Sequence, residues 1–150
     1  MSNEIVRRCR NCGEGHIHAV VKRGRRQKYK TLELKVPADF KIPTCDNCGV
    51  EWMDAATAKA LTAALEREYR LALGAMAMTA IKKIRETQST RRLEQLLDLS
   101  EGYLSKLSTG KSVPSAELVA HLGLLAKDVK GRTRELENMW QRASKASRAA

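Results

Sequence analysis

The chain has 150 residues, enough for one domain or two small ones, and its 43% hydrophobic and 30% charged residues are typical of a soluble globular protein. No apolar run approaches a membrane-spanning length and the N-terminus lacks a signal-peptide apolar segment, so a cytoplasmic protein is expected. The formal net charge of +11 favours polyanionic partners, with nucleic acid the first expectation and a membrane surface the weaker one.

All four cysteines lie in two Cys-x-x-Cys-Gly motifs near the start of the chain. The motifs are Cys9-Arg-Asn-Cys12-Gly13 and Cys45-Asp-Asn-Cys48-Gly49. Each motif lets two thiolates reach one tetrahedral ion, and the glycine after the second cysteine permits a tight backbone turn. The spacing therefore predicts one zinc ion with four ligands, Cys9, Cys12, Cys45 and Cys48.

Other uses of these cysteines are a disulfide pair and a redox dithiol. A reducing cytosol disfavours the disulfide, and neither motif has a thioredoxin-like strand and helix around it. Iron is compatible with the same ligands, although zinc is the better expectation. A cage closed by four thiolates leaves no position for a substrate, so we expect a structural metal.

The segment between the two motifs is rich in β-forming residues. Strands are predicted at His16 to Val21, Tyr29 to Val36 and Phe40 to Pro43, with a hairpin turn at Arg23 to Gln27. We expect one small antiparallel sheet whose core is too thin to fold unaided, which is a physical reason for the metal. The cluster of cations from Lys22 to Lys30 is compatible with phosphate contacts, with an acidic partner surface, or with a solvated loop.

Helical patterns begin after the second motif. Asp54 is a suitable N-cap for a long alanine-rich helix that connects the zinc module to the C-terminal helices, and Gly74 would allow a bend in it. A further helix is predicted from Ala77 to Glu86. The connecting helix would separate the two modules, pair with its copy in a dimer, or pack on its own domain.

The stretch from Ser89 to Ser115 predicts two short helices joined by a tight turn. Ser89 caps a helix with an apolar stripe that ends near Asp98, and Ser100 is predicted to cap the second helix. In that second helix, Tyr103, Leu104 and Leu107 form the packing side, and Glu101, Gly102, Ser105 and Lys106 lie on the outer side. This is the pattern of a helix-turn-helix, whose second helix enters the major groove of DNA.

Two more helices are predicted towards the C-terminus. One begins at Ser115 and buries Leu118, Leu122 and Leu125. The other begins after Gly131, contains Trp140, and leads into a basic tail that could add phosphate contacts without reading sequence.

The helix-turn-helix stretch resembles the phage-repressor and Cro-like family over about 55 residues, from Ala77 to Asp128. The matching residues are Leu93, Leu97, Leu99, Ser100, Tyr103, Leu104, Ser105, Leu107, Gly110, Lys111 and Pro114. The sequence departs from the family pattern at two positions. Glu94 stands where the family usually has alanine, and Asp98 where it usually has a glycine at the turn.

The order of a four-cysteine module before a Cro-like module resembles the MqsA (YgiT-type) antitoxins of bacterial toxin-antitoxin systems. The predicted strands and helices together give an α+β fold, with a small β-rich zinc module before an all-α helix-turn-helix domain. The resemblance implies a structural metal, an N-terminal module that binds and masks a ribonuclease toxin, and a C-terminal module that dimerises on a palindromic operator. The expected organisation is a zinc module at 1–53, a connecting helix at 54–76, a helix-turn-helix domain at 77–128, and a C-terminal helix and basic tail at 129–150.

The expected DNA contacts combine this resemblance with side-chain chemistry. Lys106 lies where the family has a base-reading arginine, and Gly102 where it has a base-reading asparagine; Ser105 can bond to a base edge, and Glu101 can accept from cytosine or repel phosphate. The residues predicted to contact phosphates are Thr90, Arg91 and Lys111.

The sequence thus predicts a sequence-specific DNA-binding transcription regulator, active as a homodimer because one short recognition helix covers only one half-site. The finer expectation is an antitoxin that autoregulates its operon and binds a toxin. The alternatives are a zinc-containing regulator without a toxin partner and an RNA-binding zinc protein, with Tyr29, Phe40 and Trp52 as candidate stacking residues. No enzyme motif is present, so catalysis is not expected.

Overall fold

The computed structural model describes residues 7–149 and has the predicted α+β architecture, with small β-sheets and a four-cysteine cluster followed by helices. The first six residues of the predicted zinc module and the last residue of the predicted tail lie outside this range. The strands are β1 Arg7–Arg8, β2 His16–Val21, β3 Arg26–Tyr29, β4 Leu32–Lys35 and β5 Lys41–Cys45. The helices are α1 Ala55–Ile84, α2 Thr90–Leu96, α3 Tyr103–Ser108, α4 Ala116–Lys127 and α5 Val129–Ala149.

The chain divides into two compact units, Met1–Tyr69 and Arg70–Ala150, with the division inside α1. The boundaries predicted from the sequence at residues 53, 76 and 128 stay predictions.

The first unit contains two antiparallel sheets rather than the single one expected. Strand β2 lies between β1 and β5, whereas β3 and β4 form a separate hairpin. The predicted strand from Tyr29 to Val36 is wrong, because the chain turns inside it at Lys30 and Thr31 and pairs Tyr29 with Leu32. Lys30 takes a positive φ of 52°, which is uncommon for a residue with a side chain, so no turn signal is present in the sequence at this point.

Tertiary contacts hold Lys30 in this conformation. Its Nζ lies 2.8 Å from Glu66 Oε2 on α1 and 4.8 Å from the centre of the Tyr69 ring. The Tyr29 hydroxyl also donates to Glu66 Oε2, at 2.7 Å. The hairpin is therefore anchored to the first part of α1 within the same unit.

The apolar core of the first unit is small. It consists of residues from the β3–β4 hairpin and its exit, β5, and the first half of α1: Leu34, Val36, Ile42, Leu61, Ala64, Leu65 and Tyr69. A core of this size stabilises a fold only marginally, which agrees with a metal-dependent module.

Helix α1 begins as predicted and extends further than predicted. Asp54 Oδ1 accepts the N–H of Thr57 at 2.7 Å, which is an N-cap contact. The helix then continues without a break through Gly74 to Ile84, so the predicted separate helix from Ala77 to Glu86 is its last part. A glycine costs a helix interior only about 1 kcal/mol relative to alanine, too little to break an alanine-rich helix.

Of the two serine caps predicted in the second unit, the one at Ser89 is confirmed, since Ser89 accepts the N–H of Arg92. The other is wrong, because Gly102 and not Ser100 is the N-cap of α3, with a φ of +78° and no side-chain hydrogen bond of its own. Ser115, where the next helix was expected to begin, is the N-cap of α4 and accepts the N–H of Leu118.

The two C-terminal helices differ from expectation only in detail. In α4 the buried residues are Val119, Leu122, Leu125 and Ala126, while Leu118 is half-buried. Helix α5 begins at Val129 and not after Gly131, because Asp128 Oδ1 accepts the N–H of Gly131 and caps an earlier start. The indole N–H of Trp140 donates to the Leu96 carbonyl at 2.9 Å, which joins α5 to α2.

Candidate metal centre and helix-turn-helix

The four cysteines lie together, with all four Sγ atoms within 4.8 Å of one another. The Sγ atoms of Cys9 and Cys48 are 3.8 Å apart, and those of Cys12 and Cys45 are 3.7 Å apart. A tetrahedral site with metal–sulfur bonds of about 2.3 Å separates its sulfurs by about 3.8 Å, whereas a disulfide requires about 2.05 Å. The cluster is therefore arranged to bind one metal ion.

Each motif forms a closed turn that aims two thiols inward. The N–H of Gly13 donates to the Cys9 carbonyl at 3.0 Å, and the N–H of Gly49 donates to the Cys45 carbonyl at 3.1 Å. Both glycines have positive φ, 72° and 70°, as the Cys-x-x-Cys-Gly pattern predicts.

The β1–β2 and β5 segments hold the two turns against each other. Cys9 N–H donates to the Gly15 carbonyl, while Asp46 N–H donates to the His16 carbonyl at 3.0 Å. In return, His16 N–H donates to Asp46 Oδ1 at 2.8 Å and lowers the pKa of that carboxyl. This reciprocal pair joins strands β2 and β5 beside the sulfur cluster.

Backbone N–H groups also act on the thiols themselves. Gly15 N–H donates to Cys12 Sγ at 3.4 Å, and the N–H groups of Gly15 and Glu14 lower the pKa of Cys12 to about 6. At Cys45 the N–H of Cys48 acts in the same direction, but burial and the neighbouring thiols raise its pKa to about 11. Because thiolates and not thiols bind metals, an ion that binds here must displace the remaining protons.

Gly15 is a site residue that the sequence analysis missed. A Cβ atom built on it would lie 2.6 Å from Cys45 Sγ and 2.6 Å from Asn47 Cβ, closer than real contacts allow. The second cysteine turn therefore approaches the backbone at Gly15 too closely for any side chain. No local pattern in the sequence signals this requirement, since the crowding atoms come from about thirty residues away.

In the second unit, α2 and α3 form the two-helix pair expected for a helix-turn-helix. The chain between them passes through Asp98, which has a positive φ of 53° at the position where the resembling family usually has glycine. Aspartate is one of the few residues with a side chain that enters this region readily. Aspartate at position 98 is therefore compatible with a tight turn between α2 and α3.

Glu94 is the second residue whose structural role was not predicted from the sequence. Its side chain is buried, 4% exposed, and both carboxylate oxygens point to the start of α3. Oε2 accepts the N–H of Gly102 at 3.1 Å, and Oε1 accepts the N–H of Leu104 at 2.9 Å. Glu94 therefore takes the capping role predicted for the Ser100 hydroxyl. Its two hydrogen bonds satisfy N–H groups that the start of a helix leaves without partners.

The predicted recognition helix has the expected two sides. Leu104 and Leu107 are buried at 0% and 1% exposure, while Ser105 and Lys106 are exposed on the opposite side. Gly102 is half-buried at the start of the helix.

The remaining predicted DNA contacts also lie in the second unit. Arg91, Glu101 and Lys111 are exposed, and Thr90 is half-buried at the first position of α2. Contact of these residues with DNA stays a prediction.

No protein-family model matches this chain, and no curated protein is similar enough to it to count as a relative. Among residues 7–149, no helix combines the length and the apolar character that crossing a membrane requires.

Proposed function

We propose that this chain is a sequence-specific DNA-binding transcription regulator whose N-terminal module is stabilised by one zinc ion. The observation that carries the proposal is the α2–α3 pair, in which Glu94 anchors the start of a helix that presents Ser105 and Lys106 outward. A helix whose start is held by two hydrogen bonds from its neighbour is suited to entering a major groove in one orientation.

The residues predicted to contact DNA differ in whether their side chains suit base edges or phosphates. The Lys106 ammonium can donate to guanine acceptors as a single point, and the Ser105 hydroxyl can donate to or accept from any base edge. Arg91 on α2 and Lys111 after α3 suit phosphate oxygens, and they would fix the position of the protein on the duplex without reading its sequence. We expect a homodimer on a two-fold symmetric site, because one short helix covers a single half-site.

The proposal of zinc rests on the ligand set and the spacing. Four thiolates at tetrahedral separation suit zinc, and the closed set of ligands suits a structural role without catalysis. Metal analysis of the purified chain tests this directly, with one zinc per chain expected. Iron at the same stoichiometry would instead indicate a four-thiolate iron site.

We further propose an MqsA-like antitoxin role, in which the zinc module binds a toxin and the second unit represses the shared operon. The order of modules supports it: a metal cluster in a thin β-rich unit, followed by a helix-turn-helix. Co-expression with the product of an adjacent gene, followed by purification through a tag on one chain, tests the partner. A regulator without a toxin partner is the alternative if no neighbouring product co-purifies.

RNA binding by the zinc module is less well supported. Tyr29 donates to Glu66, forms a T-shaped pair with Tyr69 at 5.8 Å between ring centres, and has Lys30 Nζ 5.3 Å from its own ring centre, so its ring is already in contact within the unit. Phe40 is half-buried, and Trp52 is 36% exposed. Single-stranded RNA recognition needs several exposed stacking rings, and of these three only Trp52 is exposed.

The test of the DNA-binding proposal uses the duplex immediately upstream of the chain's own gene and a scrambled duplex of equal length, over a salt series. A preference of about a thousandfold that persists as salt rises is expected for an operator. Equal affinities that fall together with salt would contradict the proposal, since they would report only the net positive charge.

A further inference from the structure

The outer face of the β3–β4 hairpin is covered by cations. Side chains alternate between the two faces of a strand, so Arg26 and Lys28 share a face, and their cross-strand partners Lys35 and Glu33 share it with them. All four are exposed. Arg26, Lys28 and Lys35 together form the hairpin cationic face.

The opposite face of the hairpin is attached to the first unit, which leaves the hairpin cationic face outward. Leu34 is buried, and Tyr29 and Leu32 are half-buried. The contacts of Lys30 and Tyr29 with Glu66 hold the hairpin turn against α1. The cations are thus displayed by a short hairpin that is anchored in position.

The stability of the hairpin does not explain why these cations lie together on one face. Arg26 and Lys35 are directly opposite each other, and like charges at such positions destabilise a sheet. The one acid on the face, Glu33, lies 3.6 Å from Arg26, but both side chains are more than half exposed, so their attraction is weak. Lys22 and Arg23, exposed just before the hairpin, add to the cationic potential of the region.

The chemistry of the face indicates the class of partner. Protein interfaces depend on buried aromatic or aliphatic anchors and are depleted in lysine, whereas this face offers no apolar side chain. It offers no ring for a base to stack on, which disfavours single-stranded nucleic acid. Several cations on a flat surface suit the regularly spaced phosphates of a duplex.

We infer that the hairpin cationic face binds the phosphate backbone of double-stranded nucleic acid without reading its sequence. This contact is separate from the proposed operator reading by α3 and does not depend on it. Its contribution would be to raise the affinity for any duplex, and with it the time that the chain spends near DNA.

The test measures binding of the full zinc-loaded chain to a duplex of unrelated sequence over a salt series. The variant changes Arg26, Lys28 and Lys35 to glutamine. Each lost phosphate contact lowers the slope of log affinity against log salt by about 0.9, so a fall of about two to three is expected. At low salt the affinity should fall by about tenfold or more.

A control variant removes three exposed cations elsewhere, by changing Lys59, Arg67 and Lys127 to glutamine. It lowers the net charge by the same amount and should change the salt slope by less than about one. Equal slopes for the two variants would overturn the inference, since total charge alone would then govern binding. An unchanged affinity of the hairpin variant, or a strong preference for single-stranded RNA over duplex, would overturn it as well.

Zinc content and circular dichroism report whether the hairpin variant is folded. A second measurement needs no variant at all: backbone amide NMR shifts of the full chain during titration with the unrelated duplex. Shifts across 26–35 are expected, and their absence while other amides shift would contradict the inference. Failure of the operator test leaves this outcome unaffected, because no operator sequence is used.

Discussion

Glu94 Oε1 accepts the backbone N–H of Leu104 at 2.9 Å, so a buried carboxylate on α2 directly caps the start of α3. The same carboxylate accepts the N–H of Gly102 at 3.1 Å through its other oxygen. The angle between the two helices therefore depends on one side chain as well as on apolar packing. In the proposed function, that side chain positions Ser105 and Lys106.

Replacing Glu94 with alanine should destabilise the second unit by about 2 kcal/mol, because the buried N–H of Leu104 loses its acceptor. Glu94→Gln keeps one acceptor oxygen and should cost less. Urea unfolding followed by circular dichroism measures both effects. Gln95→Ala changes an exposed neighbour on the same helix and should cost about 0.5 kcal/mol or less. A Glu94→Ala variant as stable as this control would show that the carboxylate does not hold α3.

Gly15→Ala should disrupt the cysteine cluster, because the added methyl group would lie 2.6 Å from Cys45 Sγ and from Asn47 Cβ. We expect substoichiometric metal in the purified variant, measured by elemental analysis. Gly74→Ala is the matched control, since a Cβ there meets nothing within 4 Å. It should retain metal fully and slightly stabilise α1. Full metal content in both variants would mean that the turn at Cys45 can move away from Gly15.

Removal of the metal by a chelator should unfold the β-rich part of the first unit and leave the second unit folded. The buried residues of the sheets, such as Leu34 and Ile42, are too few to hold the module without the sulfur cluster. Amide hydrogen exchange checks this, with protection lost in β2 and β5 and kept in α4. Unchanged protection of β2 after complete metal removal would contradict a structural role for the ion.

Lys106→Ala and Lys111→Ala should affect operator binding in different ways. Loss of a base contact at Lys106 should lower operator affinity by about tenfold and relax the preference over the scrambled duplex. Loss of a phosphate contact at Lys111 should weaken both duplexes equally and reduce the salt slope by about one. Fluorescence anisotropy with both duplexes separates the two patterns. An unchanged operator affinity for Lys106→Ala would remove its assigned role.

Features that depend on contacts between neighbouring residues were predictable from the sequence. The caps at Asp54 and Ser89 and the glycine turns after each cysteine pair arise from contacts a few residues apart, and the structure contains them. The grouping of the four cysteines was also predictable, because two Cys-x-x-Cys-Gly motifs in one small unit are typical of a single tetrahedral metal site. The division of α3 into buried and exposed sides was predictable from helical periodicity.

Features that depend on contacts between separate segments of the chain were not predictable from the sequence. The chain turns at Lys30 because contacts with Glu66 and Tyr69 hold the Lys30 side chain. This turn divides the predicted strand, and its two parts belong to a second sheet. Gly15 must be glycine because Cys45 and Asn47 approach it from another segment. Glu94 replaces Ser100 as the source of the α3 cap because folding buries its carboxylate beside Leu104. In each case the deciding contact joins separate segments of the chain and forms only on folding, so no local pattern in the sequence predicts it.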